Sequence, residues 1–213
     1  MIGWFRRRAA AAVDDGRWVV LDVESSGLDP KSDRLLAIAA VALRRDGGAA
    51  PRIGLGDSFE VVMRHEAAPV DKANILVHGI GVGAQRGGVA PAQALAAFER
   101  WAAGAPLIGF HVAFDEALIQ RAMRAALGHA LPNPWIDLAD VAQVVRPDVP
   151  GRSLDDWMDA LGIRCAVRHQ AAADTLATAE LLLRLWPQVV AQRQGEDWRA
   201  LSRLAAQRRW LPR

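Results

Sequence analysis

The sequence predicts an α/β fold, a mixed sheet covered by helices. Three observations predict it. The early chain carries three strand-like apolar runs in close succession, the first with four apolar residues in a row at 18–21. The later chain places apolar residues at helical spacing, as in Leu95, Phe98 and Trp101. Short apolar runs near residues 106–110 and at Trp135 interrupt those helical stretches. Strands first, then helices with strands among them, favour one sheet layer with helical cover.

Taken in order, residues 1–16 hold Arg6, Arg7 and Arg8 followed by alanines and read as an arm or short helix. Residues 18–21 read as a buried central strand, because strands covered on both faces are continuously apolar. That strand runs into Asp22, Val23 and Glu24 and then a Ser25-Ser26-Gly27 turn. Residues 34–44 follow too closely for a crossover, so this second strand is expected antiparallel to the first. Glycines and a proline over residues 47–56 break the chain, and residues 58–64 read as a third strand returning as a hairpin. The stretch 74–80 leads into Gly81, Gly83, Gly87 and Gly88. Their spacing fits neither dinucleotide nor nucleoside triphosphate loops, and the segment reads as a mobile surface loop.

A helix begins at Pro91, where proline suits a first turn. Residues 106–110 form a short buried strand, followed by a helix to about Leu127 with Phe114, Leu118, Ala122 and Ala125 as its apolar face. Asp115 then lies in the first turn, where an acid ordinarily complements the helix dipole. Residues 135–145 start as a strand and become a helix. Ser153 with Asp156 three residues on signals a capped helix, and Gly162 its end. A further helix carries Asp174 early, buries Leu176, Ala179, Leu183 and Trp186, and is expected to stop at Pro187. Beyond it, Trp198, Leu201, Leu204 and Ala205 alternate with Arg199, Arg203, Arg208 and Arg209, a basic amphipathic helix. The expected organisation is an arm at 1–16, one domain at 17–187 and the basic helix within 188–213.

Composition bounds the function. With 213 residues, 52% hydrophobic and 23% charged, the chain suits one globular domain. No apolar run is long enough for a membrane span, which predicts a cytoplasmic protein. The single cysteine, Cys165, has no internal disulfide partner and no neighbours at metal-site spacing. The formal charge of +2 and the arginine-rich ends lean towards an anionic partner.

The chemistry starts from Asp22 and Glu24. Side chains alternate along a strand, so both carboxylates point to one side and Val23 to the other. Two carboxylates at the end of an apolar strand either cap it and open the turn, share a proton, or meet a cation or hard divalent metal. Asp115, and Asp174 with His169 just before it, stand at the starts of helices that could share that cleft.

Taken together, Asp22-Val-Glu24-Ser-Ser-Gly27-Leu28, His78-Gly79-Ile80, Phe114-Asp115 and His169-Gln-Ala-Ala-Ala-Asp174 resemble the DEDDh family of 3′ to 5′ exonucleases, which includes the proofreading subunit of bacterial DNA polymerase III. The resemblance spans about residues 17–187. It implies a ribonuclease H-like fold, a five-stranded mixed sheet with the second strand antiparallel and helices on both faces. It also implies metal ligands at Asp22, Glu24, Asp115 and Asp174, a general base at His169, and two Mg²⁺ or Mn²⁺ ions per site. Two metals roughly 3.5–4 Å apart suit an in-line attack on a phosphodiester. Asp22 would bridge both metals, Glu24 and Asp174 would help hold one, and Asp115 the other. The backbone near Val23 and Ser25 would meet the 3′ end, Leu28 would wedge against the last base, and His78 and Ile80 would line the nucleotide pocket. His111 stands where the family commonly has asparagine, and Ser25-Ser26 where two threonines are frequent. The implied substrate is a single-stranded DNA or RNA 3′ end, with DNA favoured. The alternatives are an exoribonuclease or a non-catalytic recruitment module. The C-terminal helix could pack on its own domain, hold nucleic-acid backbone or dock a polymerase.

Overall fold

In the computed structural model, residues 16–47, 49–65 and 72–210 are described; the expected arm at 1–16 lies outside them except for Gly16. Among the described residues the sheet has five strands: β1 (Arg17–Ser25), β2 (Leu35–Arg44), β3 (Arg52–Val62), β4 (Leu107–Gly109) and β5 (Trp135–Asp137), in the order β3-β2-β1-β4-β5. β2 is antiparallel to β1 and to β3, whereas β4 runs parallel to β1 and to β5. The expected mixed sheet with its antiparallel second strand is the one formed. β1 is central, paired with β2 from Arg17↔Arg44 to Glu24↔Ala37 and with β4 through Val19↔Leu107 and Val20↔Ile108.

The helices are α1 (Lys72–His78), α2 (Val82–Gly87), α3 (Pro91–Ala102), α4 (Ala113–Leu127), α5 (Leu138–Val145), α6 (Leu154–Leu161), α7 (Ala171–Ala191) and α8 (Trp198–Gln207), ending in a 3₁₀ turn, Arg208–Trp210. Alternation along β1 divides the core in two. Trp18 and Val20, with Val41 and Leu43 of β2, pack against α5, α6, α7 and α8. Val19, Leu21 and Val23, with Leu35, Ile38 and Ala40, pack against α3 and α4. Cover on both faces is why these strands read as unbroken apolar runs.

The basic C-terminal helix belongs to this core. Trp198, Leu201 and Leu204 are buried, and the Trp198 and Trp186 rings lie 6.2 and 5.8 Å from that of Trp18. Its apolar face is used by its own domain and its arginines Arg199 and Arg203 face outward.

Several local expectations are corrected. Pro187 does not stop α7, which continues to Ala191. Leu185, Trp186 and Val189 bury on either side of the proline, and that packing outweighs one missing backbone donor. Leu176 is exposed, whereas Ala179 and Trp186 are buried as expected, Leu183 packs partly buried against the core, and Ala177, Leu181, Leu182 and Leu185 complete the buried face. On α4 the buried face is Asp115, Leu118, Ile119 and Met123, and Ala125 is exposed. β3 starts at Arg52, so Gly54 and Gly56 lie inside a strand whose pairing shifts register opposite Val41/Ala42. The glycine-rich stretch is α2, not an irregular loop. Gln85 is buried there and donates from its side chain to the Ile80 carbonyl at 3.1 Å. A Cβ on Gly88 would meet the Val62 carbonyl at 2.7 Å, so glycine lets this segment close on the end of β3.

Candidate active site

The site forms where the C-terminal end of β1 meets the first turns of α4 and α7. Asp22 and Glu24 continue the face of β1 that carries Trp18 and Val20, the face covered by α7. On α7, the Thr175 hydroxyl donates to the carbonyl of Ala39 at 3.1 Å, and Ala39 is the β2 partner of Asp22. This bond pins the helix over β1 and brings Asp174, one residue earlier, against the pair. Asp115 arrives from the other side, its Oδ1 accepting from the backbone N–H of Val23 at 3.1 Å.

The electrostatics record how closely the four acids gather. Burial, then Asp115, Asp174 and Glu24, push the Asp22 carboxyl well above the usual carboxylate range. Burial and Asp174 raise Glu24 to about 7, although it accepts a hydrogen bond from the Ala171 backbone. Burial raises Asp115 to about 8 despite its bond from Val23. The Oε1 atom of Glu24 is buried with no hydrogen-bond partner. Excess negative charge, a buried orphan oxygen and hard oxygen donors fit a divalent cation, and Mg²⁺ takes few carboxylates alongside water and phosphate. As placed, no three His, Cys, Asp or Glu side chains among the described residues form a closed ligand set. Asp174 is engaged elsewhere: its Oδ1 accepts from Arg168 and its Oδ2 from the backbone N–H of His169 at 3.1 Å.

His169 sits in the turn before α7 with φ 60°, a left-handed backbone unusual for a residue with a Cβ, and its side chain is exposed. The turn is held by the bond from His169 N to Asp174. Leu28 is 93% exposed at the tip of the turn after β1. That turn is braced: the Ser26 hydroxyl donates to Asp33 at 2.8 Å and the Asp29 N–H donates to the same carboxylate at 2.8 Å. A Cβ on Gly27 would strike the Asp33 carboxylate at 2.5 Å, so any larger residue would push aside the side chain that braces the turn. Ser25 donates to the Gly27 carbonyl within the same turn.

His78 is buried, its Nδ1 accepting from the Ile80 N–H at 2.9 Å, and burial lowers its pKa. Its ring therefore folds the 78–80 turn, while Ile80 is half-buried. Gly79 lies beside Gln170, 4.0 Å from where a Cβ would stand, which brings this turn to the edge of the site. The Val23 N–H is taken by Asp115, and Val23 itself is core. His111 has φ 56° and points away, its Nε2 2.7 Å from the Arg152 carbonyl.

Two residues escaped the sequence reading. Asp137 ends β5, accepts from the backbone of His111 and of Ala139 at 2.9 Å each, and adds its charge to that around Asp115. The available signal was an acid at a strand-to-helix junction, the place of an N-cap. Asp155 on α6 pairs with Arg168; nothing local in the sequence marked it.

The family model described as Exonuclease matches residues 19–182. The chain is 32% identical over 187 residues to a DNA polymerase III subunit epsilon-like protein of Rhodobacter capsulatus, covering 86% of this chain and 26% of that protein. It therefore spans about a quarter of that relative's length. Among solved structures, it is similar to E. coli Exonuclease I in complex with a dT13 oligonucleotide (TM-score 0.68, 20% identity, 84% of this chain and 42% of that one). It is also similar to cell-death related nuclease 4, CRN-4 (TM-score 0.69, 14% identity, 80% and 63%). At such identities the likeness concerns the fold, which is ribonuclease H-like.

Proposed function

Because this chain belongs to the exonuclease family, we propose that it is a metal-dependent 3′ to 5′ exonuclease that removes nucleoside monophosphates from single-stranded ends. The observation that carries this reading is the meeting of Asp22, Glu24, Asp115 and Asp174, with His169 fixed beside Asp174. Asp22, Glu24, Asp115 and Asp174 would hold Mg²⁺ or Mn²⁺, which when bound supplies positive charge to the phosphate oxygens and to the attacking and leaving oxygens.

The chain's own residues do the rest. The exposed imidazole of His169 accepts the proton of the attacking water, and the bond from its backbone to Asp174 keeps the two in register. The braced turn from Ser25 to Asp33 presents Leu28 as an apolar platform for the terminal base, and apolar stacking is indifferent to base identity. The buried face of α8 supports packing on its own domain, so a polymerase or nucleic-acid backbone would meet only its outward arginines. DNA is the favoured polymer, in keeping with the oligonucleotide held by the Exonuclease I relative. An idle recruitment module has no use for four mutually repelling acids.

The test uses 5′-labelled single-stranded DNA and RNA of equal sequence with Mg²⁺, Mn²⁺ or EDTA. The expected result is a ladder shortening from the 3′ end, faster on DNA, absent in EDTA and absent for Asp174→Ala. Folded protein that yields no ladder with either polymer or metal refutes the proposal.

A further inference from the structure

Arg168 has no part in the reaction just described, yet its guanidinium faces the acid cluster. Its Nη1 donates to Asp174 Oδ1, and its Nε and Nη2 reach the carboxylate of Asp155 on α6, the latter at 3.4 Å. The other oxygen of Asp174 is taken by the His169 N–H at 3.1 Å. Asp174 thus has donors on both oxygens, while Glu24, near the end of β1, keeps a buried oxygen with no hydrogen-bond partner. Hydrogen bonds between ionised groups are the strong ones, so the contact is not incidental to a carboxylate wanted elsewhere.

We propose that Arg168 is a positioning residue that acts through Asp174: it serves as the resident counter-cation of the acid cluster and must release Asp174 before a divalent ion is bound, so that it sets the metal affinity of the site. This rests on the nuclease reading above. Asp155 makes the exchange a pivot and not an ejection. Held along its Nε edge by Asp155, the guanidinium keeps an anionic partner when its other edge gives up Asp174. The arrangement also explains how four acids fold together without metal, because Arg168 opposes the repulsion that the other three impose on Asp22.

The experiment is calorimetric titration of Mn²⁺ alone into the full chain, as wild type, Arg168→Gln, Arg168→Lys and Asp22→Asn, with thermal midpoints in EDTA alongside. Arg168→Gln is expected to bind Mn²⁺ about tenfold more tightly, the equivalent of losing one charge-assisted bond. In EDTA it is expected to melt below wild type. Arg168→Lys, which keeps the charge, is expected to bind as wild type does. Equal or weaker Mn²⁺ binding by Arg168→Gln, with Asp22→Asn impaired, overturns the role of Arg168 and leaves the nuclease reading standing. Wild-type binding by Asp22→Asn, or no binding by any of the four proteins, overturns both.

Discussion

Asp115→Asn is expected to make the metal-free protein more stable and to abolish its activity. Asparagine has the same shape, and its Oδ1 can still accept from the Val23 N–H, the bond that the aspartate accepts at 3.1 Å. What it removes is charge. The folded protein raises this carboxyl from 3.8 to about 8, through burial first and then the neighbouring Asp137 and Glu24. An acid whose pKa is raised by folding keeps a proton that the unfolded chain has lost, so stability falls as pH rises from about 4 to about 8. At about 1.4 kcal/mol per pH unit the full interval sets a ceiling of about 6 kcal/mol. Water relaxing into the cleft reduces this, and about 2–5 kcal/mol is the working figure. For a chain of this size that is a rise of roughly 5–15 °C in Tm at pH 8. The assay is urea unfolding followed by the eight tryptophans in EDTA, at pH 4 and pH 8. Near pH 4 the two proteins should be almost equal, and at pH 8 the variant should lead. No advantage at pH 8, or an equal advantage at both, refutes the argument. Excess Mn²⁺ should close the gap by stabilising the wild type alone.

His169→Asn tolerates the left-handed backbone at φ 60° and should lower the hydrolysis rate about 10²–10⁴-fold with Tm unmoved, measured by single-turnover assay and calorimetry. Because Leu28 is 93% exposed, Leu28→Ala should leave Tm unchanged while raising KM for single strands about fivefold, a loss of about 1 kcal/mol of stacking; an unchanged KM removes the platform role. Leu204→Ala, far from the acids but fully buried, should cost about 2–5 kcal/mol in urea unfolding and leave the cleavage rate per folded molecule unchanged.

The acid pair at the end of β1 was legible because it needs only the period of a strand. Once residues 18–21 are a strand, Asp22 and Glu24 must share a side, and the α7 face of β1 continues from Trp18 and Val20 to them. The antiparallel pairing of β2 with β1 was legible for a similar reason, since a short connection leaves β2 no choice but to run back beside β1; the places of β4 and β5 beyond β1 were not. The capping box at Ser153 and Asp156 was equally local and formed as expected, with Gly162 at φ 66° closing α6. The extent of α7 was not legible, because Pro187 carries a strong local signal that packing by Leu185, Trp186 and Val189 overrules.

By itself, then, the sequence determined which residues had to lie side by side along one strand or one helix, and through the resemblance which acids to look for. Only the tertiary structure decided what each acid faces. The Asp115 carboxylate meets the Val23 backbone across 92 positions of chain, and the Thr175 hydroxyl finds the Ala39 carbonyl across 136. Arg168 stands between Asp155 and Asp174 only because α6 and the turn before α7 are folded against each other. Alternation and capping are properties of neighbouring peptide units and can be read along the chain. Charge neutralisation and burial depend on distances through space, which are fixed only when the sheet and its helices close around them.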